Sequence, residues 1–244
     1  MKGRKVGNGE IPTVIWYGER GILNAIALSL VVDTRSGLEH LLGVVEWGVE
    51  TNKCSEIKFS YIDDVAVIVE PSFGRKHGFG DPDLMILFSD GKERKCVFIE
   101  AKTSGYLKSA MSNKIKGKGY YSSINGQLSL RYLLAKAEKT ETQIKSNGRS
   151  LKKKGLLKIL STLGVCEIKE GNYYYIALTA DKNNPIRNID PDLLPEFDRD
   201  DFARLGWVNY EKIAGSPKLK DNNAFNYALK TMDVLPEEPE EYEE

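Results

Sequence analysis

Asp83 and Glu100 bracket two short apolar runs, Leu84–Phe88 and Cys96–Ile99, and Lys102 stands two residues after Glu100. The polar segment between the runs carries Asp90-Gly91, a pair that favours a tight antiparallel turn. A hairpin folded about the Gly91–Lys92 bond pairs residues whose numbers sum to 183, which sets Asp83 opposite Glu100. Side chains alternate along a strand, so Glu100 and Lys102 share a face while Ala101 offers its carbonyl at the strand edge. Two neighbouring carboxylates repel each other unless a cation neutralises them, and hard oxygen ligands suit Mg²⁺ or Mn²⁺. Such an ion acidifies a water and polarises a phosphoryl oxygen, and an adjacent lysine can orient that water. That chemistry suits phosphodiester hydrolysis. The plain alternative is a structural ion pair between Glu100 and Lys102.

These groups need elements to hold them. The two apolar runs are continuous rather than alternating, as in central strands covered on both faces. Upstream, Tyr17–Val32 carries Ile22, Leu23, Ile26, Leu30 and Val31 at spacings of three and four, which predicts an amphipathic helix. Glu19 precedes Ile22 and Leu23 by three and four residues and so extends the apolar stripe. It is either a core-facing acid in need of a partner or a charge that suits a helix N-terminus. Ile57–Val69 is β-rich but interrupted by Asp63-Asp64, and reads as two strands with a turn. Pro71–Gly80 reads as a loop. Downstream, Ser122–Lys139 reads as a helix with Gln127, Leu130, Leu134 and Ala137 along one side, and Asn172–Ala180 as a strand whose three tyrosines are sheet residues. Cys96 reads as a small buried hydrophobe, and Trp207 as an anchor for the C-terminal segment. The expected fold is α/β, a mixed central β-sheet flanked by helices.

The composition is that of a globular protein: 244 residues, 41% hydrophobic, with 35 basic and 35 acidic side chains. The zero net charge names no partner, but its distribution is uneven. Residues 101–160 hold 14 Lys/Arg against 2 Asp/Glu, whereas residues 190–244 hold 6 against 15. Lys108, Lys114, Lys116 and Lys118 interleave with Gly and lead into Tyr120 and Tyr121, a pattern that can track a phosphate backbone and stack on a base. A solvated loop has the same composition. Arg75 and Lys76, in the loop before Asp83, are further phosphate candidates. Three widely spaced cysteines fit neither a disulfide framework nor a zinc knuckle. Met1–Glu10 lacks the apolar stretch of a secretion signal, and no run approaches the ~18 apolar residues of a membrane span. The expectation is a cytoplasmic protein without membrane contact.

The pattern Pro82-Asp83, sixteen intervening residues, then Glu100-Ala101-Lys102 resembles the PD-(D/E)XK nuclease superfamily over about residues 18–180. The resemblance implies a restriction-endonuclease-like core in one domain spanning 1–235, with a C-terminal elaboration at 181–235. Residues 236–244 form an acidic tail read as disordered. It further implies that Asp83, Glu100, the Ala101 carbonyl and Glu19 bind Mg²⁺ or Mn²⁺, that Lys102 is the catalytic lysine, and that Gln127 supports the site. Gln127 looks like the glutamine of a Gln-x-x-x-Tyr motif on the downstream helix, although here Tyr132 follows by five residues, not four. The implied activity is Mg²⁺-dependent endonucleolytic cleavage of DNA, and a homodimer is compatible with it. Two rivals are a non-catalytic nucleic-acid-binding module on the same fold and a paired-carboxylate glycosidase. The glycosidase gives Lys102 no work and lacks an aromatic sugar platform.

Overall fold

The computed structural model of the protein describes residues 18–32, 34–48, 57–71, 73, 81–102, 124–137, 143–146, 149–187 and 197–215. Two helices, α1 (Gly18–Val32) and α2 (Thr34–Gly43), precede the short strand β1 (Glu46–Trp47). Strands β2 (Ile62–Val69), β3 (Leu84–Asp90) and β4 (Glu93–Lys102) follow as an antiparallel meander. Helix α3 (Ile124–Lys136), a two-stranded ribbon of β5 (Gln143–Ser146) and β6 (Arg149–Lys152), and helix α4 (Lys153–Thr162) lead to β7 (Tyr173–Thr179). Strand β8 (Leu205–Asn209) and the short helix α5 (Tyr210–Ala214) complete the described elements.

The main sheet has six strands in the order β1-β8-β7-β4-β3-β2. Strands β4, β7 and β8 are mutually parallel, and the others pair antiparallel, so the sheet is mixed as its sequence predicts. Pleating divides its side chains between two cores. Leu84, Ile86, Phe88, Val97, Ile99 and Ala101 pack with Ile22, Ile26 and Leu30 of α1 and Leu38 and Leu41 of α2. Met85, Leu87, Cys96 and Phe98 face Ile124, Leu128 and Tyr132 of α3 and Leu156 and Leu160 of α4. Strands β3 and β4 are thus covered on both faces, which accounts for their unbroken apolar runs. No described helix is long and apolar enough to cross a membrane.

The β3–β4 hairpin turns through Gly91 at φ +63°, a conformation that glycine adopts without a Cβ clash. Leu84 pairs with Ile99, Met85 with Phe98 and Asp90 with Glu93, the register that the turn predicts. Ile57–Val69 departs from expectation. Instead of two strands it contributes the single strand β2, whose register slips between Asp63 and Ala66, with Asp64 at φ +47°. A bulge absorbs the paired aspartates without breaking the strand. A second difference lies near the C-terminus, where β8 adds a parallel strand from beyond residue 180 and Trp207 Nε1 donates to Thr179 Oγ1 at 2.9 Å. The tail at 236–244 lies outside the described residues.

Gly206 pairs with Trp47 across β8 and β1, and a Cβ there would stand 2.5 Å from Val45 Cγ1 and 2.8 Å from the Trp47 ring. Gly206→Ala is therefore expected to cost about 1–3 kcal/mol by overpacking. Urea denaturation followed by tryptophan fluorescence checks this, and an unchanged midpoint would contradict the tight β1–β8 contact.

Candidate active site

The hairpin register carries Asp83 past the paired end of β3 to the Glu100–Lys102 end of β4. Asp83 Oδ2 accepts a hydrogen bond from Ala101 N at 2.7 Å, which fixes one carboxylate against the strand. In a strand the N–H and C=O of a residue point to the same side, so the Ala101 carbonyl faces the Asp83 edge too. On the other flank, the Asp83 carbonyl accepts from Glu70 N at 2.9 Å. Glu70, the residue after β2, sits at φ +46°, a left-handed conformation that disfavours non-glycine residues. Its carboxylate turns to Arg20 at 2.7 Å. The start of α1 therefore lies at this same end of the sheet. Glu19 is in the first turn of α1, and its side chain lies outside the described residues.

Glu100 and Lys102 fall on the α3 face, with Cys96 and Phe98, as strand alternation requires. Glu100 is 0% exposed and Lys102 6%. The lysine backbone is also tethered, since its carbonyl accepts from Tyr210 Oη at 3.3 Å. The closest cation to Glu100 is one that sequence reasoning missed. Arg131, 1% exposed on α3, brings Nε to 2.5 Å from Glu100 Oε1 and donates through Nη2 to the Asp81 carbonyl at 2.5 Å. The ion pair is short but poorly aligned. Among the described residues, neither Glu100 oxygen accepts a hydrogen bond of good geometry, and Arg131 Nε and Nη1 find no acceptor.

Burial pushes the Glu100 carboxyl from its ordinary 4.5 up to about 8; Arg131 opposes the rise, Asp83 adds to it and Lys102 opposes it. The two nearby cations leave this buried acid undercompensated, so a further positive charge at its oxygens would be favourable. Asp83 and Glu100 with the Ala101 carbonyl form a hard oxygen set of the kind that takes Mg²⁺ or Mn²⁺. No group of three His, Cys, Asp or Glu able to hold a metal occurs among the described residues, so the described side chains supply two carboxylates.

Gln127 lies one helical turn before Arg131 on α3, and its Oε1 is buried with no hydrogen-bond partner among the described residues. The position four residues after Gln127 is thus occupied by Arg131, which reaches Glu100. Tyr132 points elsewhere, its hydroxyl donating to Asp201 Oδ2 at 2.5 Å and accepting from Asp198 N at 3.1 Å. Tyr132 is a core residue and no part of this cluster. The candidate nucleic-acid contacts Arg75, Lys76, Lys108, Lys114, Lys116, Lys118 and Tyr120 lie outside the described residues. The sequence mark of Arg131 is its place among the apolar positions Leu128, Leu130 and Leu134 of a helix, where a buried arginine needs an anion that the helix itself does not supply. Glu70 gave no such signal, because it sits where a β-rich run simply ends.

Comparisons with protein-family models, with curated proteins and with solved structures return no match.

The raised Glu100 value has a consequence for stability. Between about pH 4.5 and pH 8 the folded protein retains a proton on Glu100 that the unfolded chain has released. The stability contributed by that proton is complete below about 4.5 and is lost as pH rises through about 8, with a slope of up to about 1.4 kcal/mol per pH unit. Glu100→Gln carries a neutral isostere that does not titrate. With chelator present, the wild type is expected to lose stability relative to Glu100→Gln across this range, as read by denaturant midpoints. Parallel profiles would show that Glu100 ionises normally.

Proposed function

We propose that the protein is a metal-dependent nuclease with a restriction-endonuclease-like core, cleaving DNA phosphodiester bonds at the Asp83–Glu100–Lys102 end of the sheet. The observation that supports this most directly is the Asp83 Oδ2 contact to Ala101 N. It brings a second carboxylate to the buried Glu100 at the strand edge where the Ala101 carbonyl is turned. Asp83 and Glu100 would hold Mg²⁺ or Mn²⁺, with the Ala101 carbonyl and Glu19 completing the set. When bound, such an ion polarises a phosphoryl oxygen and acidifies a water.

The chain's own groups have separate tasks in this reading. Lys102, on the Glu100 face and nearly closed to solvent, orients the attacking water and donates toward the phosphate oxygens. The Ala101 amide holds Asp83 in place through the displacement. Gln127, one turn from Arg131 and with a side-chain oxygen that has no partner among the described residues, holds water near the acids. The lysine-rich segment between Lys108 and Lys118, with Arg75, Lys76 and Tyr120, binds the nucleic acid backbone and its bases.

A specific observation favours one rival. Arg131 already pairs with Glu100, as it would in a nucleic-acid-binding module in which the acids serve structure alone. Strand cleavage separates the two. Supercoiled plasmid incubated with Mg²⁺ or Mn²⁺ is expected to be nicked or linearised, with chelator abolishing the reaction. Asp83→Ala and Lys102→Ala are each expected to lower the rate by roughly 10²-fold or more with thermal melting retained. Salt-sensitive binding without metal-dependent breaks would establish the binding module, and cleavage that survived either substitution would remove these residues from the chemistry.

A further inference from the structure

The Glu100 carboxylate meets a cation before any metal is considered. Arg131 Nε stands 2.5 Å from Glu100 Oε1, in a pocket where both side chains are sealed from water. Screening there is weak, so a divalent ion reaching the same oxygens would meet strong like-charge repulsion from the guanidinium. The way Arg131 is held suits release. Its one aligned hydrogen bond runs from Nη2 to the Asp81 carbonyl, two residues before Asp83, while Nε and Nη1 have no aligned acceptor among the described residues. Arginine holds a carboxylate most tightly through a bidentate fork, and this pair lacks it. The helix anchors the arginine at one end and Asp81 tethers it at the other, so it can leave the carboxylate and stay beside the site.

We infer that Arg131 is a built-in counter-cation: it occupies the cation position at Glu100 in the metal-free protein and is exchanged for the divalent ion when the site loads. The inference rests on the metal-site reading of Asp83 and Glu100 and adds to it a residue that sets how tightly the ion is held. Arg131 acts through Glu100 and is a positioning residue.

Removing the guanidinium removes that repulsion, which acts on both charges of a divalent ion at the same oxygens. Calorimetric titration of the full chain with Mg²⁺ is therefore expected to show binding at least about 10-fold tighter in Arg131→Gln than in the wild type. The variant should also be stabilised more by Mg²⁺ in a thermal melt. Unchanged or weaker binding by Arg131→Gln, with the wild type binding normally, would overturn the counter-cation and leave the metal site standing. Absence of saturable binding in both proteins would overturn both readings.

A second measurement needs no loss of the arginine and covers the case in which Arg131→Gln does not fold. The Arg131 Nε–H resonance of the wild type, assigned by its disappearance in Arg131→Lys, is expected to move with saturable Mg²⁺ addition together with the Ala101 amide. An Ala101 amide that shifts while Arg131 stays still would overturn the exchange.

Discussion

A carboxyl group without access to water, held at 2.5 Å from an equally buried guanidinium, is the constraint around which this end of the sheet is arranged. Desolvation of either group alone would cost several kcal/mol, and their attraction offsets that only with good geometry. Here the geometry is short but misaligned, and both carboxylate oxygens lack a proper donor among the described residues. Burial therefore dominates and holds Glu100 near 8. An apolar pair of similar volume could fill the space at no loss of stability and often with a gain. Unsatisfied buried polar atoms are rare in folded proteins, and where they persist they tend to mark a site whose chemistry requires them.

What keeps the cluster in place is backbone. Three adjacent strands end together here, and each is tied to the next: Glu70 N to the Asp83 carbonyl, Asp83 Oδ2 to Ala101 N, and the Lys102 carbonyl to Tyr210 beyond β8. Arg131 adds a tie from α3 to the Asp81 carbonyl. The Glu70–Asp83 tie is backbone to backbone, and the Asp83–Ala101 tie uses a short carboxylate side chain, so these two hold the acids through groups with little rotamer freedom to lose. The left-handed turn at Glu70 fits the same picture, since it stops β2 at the point where its amide can still bind Asp83.

Local pattern made part of this arrangement readable and hid the rest. Two apolar runs around Asp90-Gly91 specify one hairpin and one register, and from the register the meeting of Asp83 with the Glu100 end of β4 follows by counting. Helix α1 was readable from its stripe, and the tyrosine strand from its β character. The Ile57–Val69 run misled because two consecutive aspartates look alike whether they make a turn or a bulge. Strand β8 escaped notice because five residues carry little periodicity and its partners are distant in sequence. Arg131 is hidden for a related reason. The Gln-x-x-x-Tyr spacing singles out Gln127 and Tyr132, whereas the arginine between them gains its meaning from Glu100, in a different element.

The topology also explains why α3, rather than α1, supplies the contact to the acids. Strands β4, β7 and β8 run parallel, so their C-terminal ends share one edge of the sheet, the edge where α/β proteins commonly bind ligands. Asp83, Glu100 and Lys102 lie on the face that α3 covers, while α1 packs with Ala101 on the opposite face. Arg20 of α1 meets Glu70 at the strand ends, whereas α3 reaches Glu100 directly through Arg131. A slip of one residue in β4 would turn Glu100 and Lys102 toward the apolar core beneath α1 and bring Ala101 under Arg131, leaving that guanidinium buried without its carboxylate. The apolar packing of both faces and the charge cluster at the edge thus demand the same register, and the tight turn at Gly91 enforces it from the far end of the hairpin.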